Sequence, residues 1–403
     1  MFLLELKNFP LVSKVFAILL TISYICSMYP WFIWGNYFAT YTIVALGLVA
    51  IINGIITNSF NKKIPIVFIL TLVIMVLWQN RNSNIFGFFV ASCIFIFITS
   101  LISTDDKFKR TTISLITATL ATIVLISLIA YFLNLANLFP IRPKLISYDG
   151  FRYFNLNYYL FIIPQETYDG EFIRFKSIFL EPGHMAMGTT ILIIANRFNF
   201  KNPFVFILFL GNLVSLSLAS YLIMLFGWIS LNFSIKKLHI LIMGFLFVFV
   251  ANFIMIQTGN ENILDRYLWD RLEYSETKGI EGNNRTTYYY DAIYETTIGR
   301  FDTLLLGYGS VIEDSSGGNA GYKRYLVENG LLGIIFVFCF YFFIPFRQKE
   351  KDLLILSTSI ALLLLQDFYP TWTCVLISYV LGSSVLETKT QNQIIQQIPS
   401  KPE

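Results

Sequence analysis

Long apolar runs alternate with short polar connections along most of the chain, and the length of these runs predicts membrane-spanning helices. A helix crosses the hydrocarbon core of a bilayer with about 20 mostly apolar residues, and about twelve runs approach that length. They lie at roughly 13–33, 38–58, 64–80, 84–103, 111–135, 177–196, 203–217, 219–234, 238–257, 328–346, 352–367 and 370–386. Because SLSLAS interrupts the stretch 203–234, this part predicts either two short helices or one bent helix.

Lys and Arg follow a second pattern, which predicts the orientation of the chain. In membrane proteins these residues concentrate in the cytoplasmic connections. Here they cluster in every second connection, at 61–63, 107–110, 197–202, 235–237 and 347–351. The intervening connections 34–37, 217–220 and 366–373 contain neither residue type, and 79–84 contains Arg81 alone. This alternation places both termini in the cytoplasm and two long loops, at about 136–176 and 258–327, on the outside.

Composition narrows the class of protein. Hydrophobic residues make up 56% of the chain and charged residues 13%, whereas typical globular domains are about a quarter charged. The net charge of +4 is spread along the chain, so we expect no nucleic-acid partner. The cysteines form no CxxC pair and there are only 2 histidines, so we predict no metal site. The expected fold is one all-α integral membrane domain over 1–403, with a disordered cytoplasmic tail at about 387–403.

The first polar motif, RFKSIFLEPGHMAMGTTILII at 174–194, leads into a membrane helix. Glu181 followed by Pro182 is a helix-start signal, because Pro fits the first turn and acidic groups favour the helix N-terminus. Arg174 and Glu181 can instead face a cavity near the outer surface, where ionisable groups are costly unless paired or functional. His184 shares a helix face with Glu181, so the two form either a base with its partner or a local hydrogen bond.

The second motif, NNRTTYYYDAIYETTIGRFDTLLLGYGS at 283–310, lies in the second outer loop. The segment 283–297 can be helical, and Arg285 lies at the beginning of this short helix. Four residues at i, i+3, i+4 and i+7 spacing form one face of this helix, namely Tyr290, Ile293, Tyr294 and Thr297. Gly307 and Gly309 permit a close approach of the backbone to a ligand or an unusual turn.

The third motif, GGNAGYKRYLVENGLLGIIFVF at 317–338, leads from a glycine-rich loop into another membrane helix. Lys323 and Arg324 lie just before Glu328 and Gly330. An ordinary interfacial helix start also explains this pattern, with the cations at headgroup level and Tyr322 in the aromatic belt.

In this order, the three motifs resemble those of bacterial O-antigen ligases and Wzy-type O-antigen or capsule polymerases. RFKSIFLEP is similar to their Arg before an F-x-E-P helix start, and the second motif to their Arg-led helix followed by L-x-G-x-G. YKRYLVENGLLG is similar to their closing Y-x-x-L-x-E-x-G element. The resemblance is strongest over about 170–340, and it implies a GT-C-like fold. Ligases usually carry a His-Asn before the last motif; Asn319 is nearest that position here, which favours the polymerase branch.

The resemblance implies glycosyl transfer between undecaprenyl-diphosphate-linked glycans on the outer leaflet of the bacterial inner membrane, without metal or cofactor. Arg285 and Arg174 match family positions and would bind the departing diphosphate through paired hydrogen bonds. Glu181 is the first choice for the base and His184 the second. Other residues expected to bind substrate are Arg271, Tyr289, Tyr290, Tyr294, Tyr322, Lys323 and Arg324. The expected partners are these glycans, the lipid bilayer and a polysaccharide chain-length regulator.

Three other functions stay open. An O-antigen ligase would use the same donor chemistry. A flippase or transporter would place charged or helix-breaking residues near the membrane midplane, whereas here the polar residues concentrate in loops and at outer helix ends. A structural subunit of a polysaccharide export complex would not need a loop so rich in Arg, Tyr and Gly.

Arg285→Lys is expected to abolish most polymerising activity, because a point charge cannot copy the planar guanidinium fork. The length and yield of the polysaccharide made by cells carrying the variant measure this. Wild-type lengths and yields would contradict the role given to Arg285.

Overall fold

Helices account for most of the chain that the computed structural model describes. The described residues are 7–33, 37–58, 66–136, 138, 144–147, 154–158, 161–164, 174–232, 274–275, 279–280, 288–309, 321–348, 350–365 and 371–397. The helices are α1 Leu11–Cys26, α2 Phe38–Ile56, α3 Ile66–Gln79, α4 Ile85–Ser103, α5 Asp106–Leu135, α6 Pro182–Ala195, α7 Pro203–Val214, α8 Leu218–Asn232, α9 Tyr288–Gly299, α10 Phe301–Leu306, α11 Gly321–Gln348, α12 Lys351–Leu362 and α13 Thr373–Gln397.

Four of the helices, α2, α4, α5 and α11, are long and apolar enough to cross a membrane. Shorter apolar helices pack beside them, among them α1, α3, α6, α7 and α8. The chain is therefore a mostly helical membrane protein. Every predicted apolar run except 238–257 coincides with a helix, and that run lies outside the described residues. The number of spans and their orientation stay predictions.

The stretch 203–234 forms two helices, α7 and α8, which decides between the two alternatives. Leu216 in the break has a left-handed backbone, with φ of 50°. The buried Asn212 side chain ties the helices together. Its amide nitrogen lies 2.7 Å from the Thr190 hydroxyl and 3.0 Å from the Thr189 hydroxyl of α6, and its oxygen accepts a 2.7 Å hydrogen bond from Ser220 of α8.

The mostly helical structure agrees with the predicted all-α membrane class, and short strands occur in both of the loops that were predicted to lie outside. The first loop forms an antiparallel sheet in the order β1-β2-β3, from Lys144–Ser147, Phe154–Asn157 and Ile162–Pro164. The second contains a hairpin of β4, Tyr274–Ser275, and β5, Gly279–Ile280. These strands have two to four residues, too few for an alternating pattern to identify them.

Connections that the charge pattern assigns to the outside meet at one end of the bundle, which we call the loop end. It comprises residues 27–33, 80–84, 174–181, 215–217, 307–309 and 371–372. The Trp31 amide donates to the Ile178 carbonyl over 2.8 Å, and the Leu180 amide to the Tyr29 carbonyl over 3.2 Å. Basic connections also meet one another, since Arg197 forms an ion pair with Asp352.

The last helix, α13, continues to Gln397. Most of the tail that was predicted to be disordered is therefore helical in the structure. Residues 387–397 contain no Gly or Pro, which explains why the helix is not broken there. Residues 398–403 lie outside the described residues.

Candidate functional site

Helix α11 is interrupted at Gly330, and this break organises the site. Gly330 has a φ of 65° and a ψ of −176°, which no helix contains. A helix end leaves its last carbonyl groups without partners inside the helix. Residues 308–309 supply two of the missing donors, because the Tyr308 amide donates to the Val327 carbonyl over 2.7 Å and the Gly309 amide to the Glu328 carbonyl over 2.8 Å.

The C-terminal end of α3 and the turn after it supply the other donors. The Trp78 indole donates to the Asn329 carbonyl over 2.8 Å. The Arg81 guanidinium donates to the carbonyls of Glu328 at 2.7 Å, Leu306 at 2.6 Å and Trp78 at 3.0 Å. Arg81 therefore binds the C-terminal ends of three helical segments, where a cation is favoured by the helix dipole. Burial lowers the pKa of Arg81, and its hydrogen bonds are all to neutral carbonyls.

Gly307 and Gly330 lie back to back, which joins the second and third sequence motifs. A β-carbon added to Gly307 would lie 2.6 Å from the Glu328 carbonyl oxygen and 2.6 Å from the Gly330 nitrogen. Both glycines have positive φ angles, 68° and 65°. Only glycine fits this arrangement without strain, since it has no β-carbon.

A cavity of about 240 Å³ opens beside this junction, at the loop end. It is lined by Val76, Gln79, Asn80, Ile94, Glu328, Asn329, Thr371 and Leu376. Glu328 is the acidic residue of this wall, and its carboxylate accepts a 2.9 Å hydrogen bond from the Arg324 guanidinium. The Glu328 side chain is 16% exposed, so it is mostly covered.

The turn at 371–372 connects this cavity to the start of α6. Thr371 lines the cavity, and the ring of the next residue, Trp372, lies 5.7 Å from the His184 ring and 5.2 Å from the Tyr29 ring. His184 and Tyr29 are also in contact, at 5.6 Å. His184, one of the two predicted bases, therefore contacts the residue that follows Thr371 of the cavity lining.

Arg174 binds the end of α7 in this structure. Its guanidinium donates to the Ser215 carbonyl over 3.2 Å and to the Leu216 carbonyl over 2.9 Å. Glu181 precedes α6 and is exposed, but its side chain makes no capping hydrogen bond. The capping explanation for Glu181 is therefore not supported, while its role as a base stays a prediction.

Several residues predicted to bind sugar take part in packing between α9 and α11. On the predicted face of α9, Tyr290 and Thr297 are buried. The Tyr290 ring is thus covered, so it offers no stacking surface at the exterior. The Tyr294 ring lies 6.5 Å from the Tyr322 ring, and the Lys323 amine lies 2.6 Å from the Asp291 carboxylate.

The remaining predicted residues fall elsewhere. Arg285 and Arg271 lie outside the described residues. Tyr289 belongs to α9, but the position of its side chain is likewise outside what the structure describes. Arg324 pairs with Glu328 and so contacts the wall of the cavity.

Three residues of the site were not singled out from the sequence: Arg81, Lys176 and the carboxylate of Glu328. Arg81 had a signal, since it is the only cation in the predicted outer connection 79–84. Lys176 is buried, and its amine donates to the Leu180 carbonyl over 3.0 Å. Burial lowers the pKa of Lys176 to about 7, with Glu181 opposing and Arg174 adding to this shift.

Comparisons with known proteins do not assign this chain to a family. No family model, no curated protein and no solved structure matches the chain. Within the part of the chain that the structure describes, no group of three His, Cys, Asp or Glu side chains is placed to hold a metal ion.

Gly307→Ala is expected to destabilise the protein by about 1–3 kcal/mol, because alanine there is strained and its β-carbon would meet backbone atoms. The midpoint of thermal unfolding in detergent measures the loss. Gly299→Ala is the control, since a β-carbon at Gly299 would meet nothing within 4 Å. Equal midpoints for the two variants would contradict the packing of Gly307 on Gly330.

Lys176→Met is expected to change the pH dependence of stability. The unfolded chain keeps a lysine pKa of about 10.4, so above pH 7 it binds a proton that the folded protein has released. Stability then rises with pH in this range. Between about pH 7 and pH 9, the unfolding midpoint of the wild type should rise relative to that of Lys176→Met. Lys201→Met replaces an exposed lysine, and its unfolding midpoint should change with pH as that of the wild type does. If the midpoints of all three proteins change with pH in the same way, the lowered pKa of Lys176 is refuted.

Proposed function

We propose that this protein is a membrane glycosyltransferase that polymerises undecaprenyl-diphosphate-linked oligosaccharide repeat units into O-antigen, capsule or exopolysaccharide. The reaction takes place at the outer leaflet of a bacterial inner membrane, with both termini of the chain in the cytoplasm. A hydroxyl of the acceptor unit attacks the anomeric carbon of the donor glycan, and lipid diphosphate leaves with inversion.

The observation that carries the proposal is the junction of Gly307 and Gly330. The segments LLLGYGS at 304–310 and YKRYLVENGLLG at 322–333 resemble motifs of the same protein family, and Gly307 of the first packs against Gly330 of the second. This unit borders a polar cavity at the end of apolar helices, where a sugar attached to a membrane lipid can reach it. The contact between these two segments beside the cavity is what supports the proposal.

Two arginines predicted from the sequence are proposed to bind the leaving diphosphate. Arg285 is our first choice for this contact, because guanidinium binds phosphate through two parallel hydrogen bonds. Arg174, at the loop end beside α7, is the second. Glu181 and His184 are the bases predicted from sequence, and His184 adjoins the cavity through Trp372. A chain-length regulator is the proposed protein partner.

Mass analysis of carrier-lipid-linked glycans in a strain lacking the gene tests the proposal. We expect single repeat units to accumulate and polymer to vanish. Expression of the wild-type chain from a plasmid should restore the polymer, which excludes effects on neighbouring genes.

Two other outcomes would replace the proposed activity. Full-length polymer retained on the carrier lipid, without transfer to its final acceptor, would identify a ligase. Single units confined to the cytoplasmic leaflet would identify a flippase.

A further inference from the structure

We propose that the cavity between α3, α4 and α11 binds one sugar ring of the acceptor unit, and that Glu328 takes the proton of the attacking hydroxyl. This inference rests on the proposed function. It adds the acceptor subsite and assigns the base to a residue other than Glu181 and His184.

The size of the cavity limits its occupant. Its volume of about 240 Å³ is below the range of about 300–1,000 Å³ that is usual for drug-sized ligands. A single ring fits such a space, whereas a whole repeat unit or a lipid chain does not. Its opening at the loop end leaves room for the rest of the glycan to extend outward.

The polar side of the wall suits sugar hydroxyl groups. Gln79, Asn80, Asn329 and Thr371 present amide and hydroxyl groups, which both donate and accept hydrogen bonds. The other lining residues include apolar ones, among them Val76, Ile94 and Leu376. A sugar ring has the same division, since its hydroxyl groups lie around the edge and its C–H groups form apolar faces.

The charge of the cavity favours the acceptor over the donor diphosphate. Within the described residues, the lining set contains the carboxylate of Glu328 and no Lys or Arg. A diphosphate would therefore find no Lys or Arg among these lining residues to bind it. The reacting end of an acceptor unit is the end farthest from its own diphosphate, and its hydroxyl groups are neutral.

Glu328 is held firmly enough to act at a fixed position. The Arg324 guanidinium, 2.9 Å away, orients its carboxylate. Its backbone carbonyl accepts hydrogen bonds from Arg81 and from the Gly309 amide. Reacting groups supported in this way keep their geometry during the reaction.

The proposed step forms one bond, breaks one bond and moves one proton. The acceptor hydroxyl oxygen forms a bond to the anomeric carbon of the donor while the bond from that carbon to the diphosphate oxygen breaks. The hydroxyl proton moves to the Glu328 carboxylate and is later released to water. The electron pair of the broken bond leaves with the lipid diphosphate.

Purified full-length protein in lipid nanodiscs provides the test, with single lipid-linked units extracted from the deletion strain as substrate. Glu328→Gln is expected to lower kcat at least about 100-fold, as loss of a general base does. Its residual rate should also lose the acidic limb of the pH–rate profile. Glu295→Gln, on the exposed side of α9, is the matched control and should keep wild-type rates.

A second variant tests the cavity without touching Glu328. Ile94→Trp fills the space from the apolar side and should raise KM for the acceptor at least about 10-fold, the size of effect that a misfit in a pocket produces. Phe89→Trp on the same helix is its control, because Phe89 is 48% exposed. If Glu328→Gln does not fold, Ile94→Trp still tests whether the cavity binds the acceptor.

The outcomes separate the two proposals. Wild-type kcat and pH profile in Glu328→Gln, with an active wild-type enzyme, would overturn the role of Glu328 and leave the polymerase intact. Unchanged KM in Ile94→Trp would likewise overturn the acceptor subsite. A deletion strain with normal polymer, and a wild-type protein that joins no units, would instead remove the proposed function itself.

Discussion

The carbonyl groups freed by the break at Gly330 impose the constraint on which the site depends. In an apolar environment an unsatisfied backbone group costs several kcal/mol, and a membrane helix can break only where partners are supplied. Here residues 308–309 and the end of α3 supply them. Neither segment can move away without exposing these carbonyls, so the wall of the cavity is fixed by backbone hydrogen bonds and not by side-chain packing alone.

Arg81 adds the electrostatic part of this arrangement. Three helical segments end around its guanidinium, and each end carries a partial negative charge from the helix dipole. Bringing these ends together without a cation would be unfavourable. The ring of Trp78 lies 4.6 Å from the guanidinium carbon and covers one face of it. One arginine thus offsets the partial negative charge of three helix ends.

The sequence predicted the helices of this protein well and the site only in part. Hydrophobic runs report directly on helices that face lipid, so α2 and α4 begin and end close to the predicted positions. The break inside α11 left no such signal, because the residues on both sides of Gly330 fit the start of a single helix at the membrane interface. The partners of Arg174 could not be predicted either, since Ser215 and Leu216 offer backbone carbonyls, which every residue has.

Burial explains the other differences between the sequence predictions and the structure. The helical spacing of Tyr290 and Thr297 was correctly read as one face, but spacing cannot say whether that face meets a ligand or another helix. In the structure it packs inward. The burial of Lys176 could not be predicted from the sequence either. A lysine in a polar motif suggests exposure, and only the fold shows that this side chain is covered.

The turn at 371–372 gives the loop end a property of its own. Thr371 faces the cavity while the ring of Trp372 touches those of His184 and Tyr29, so one short piece of backbone is shared by two neighbouring surfaces. A change in the backbone conformation of this turn would therefore alter the lining of the cavity and the aromatic surroundings of His184 together.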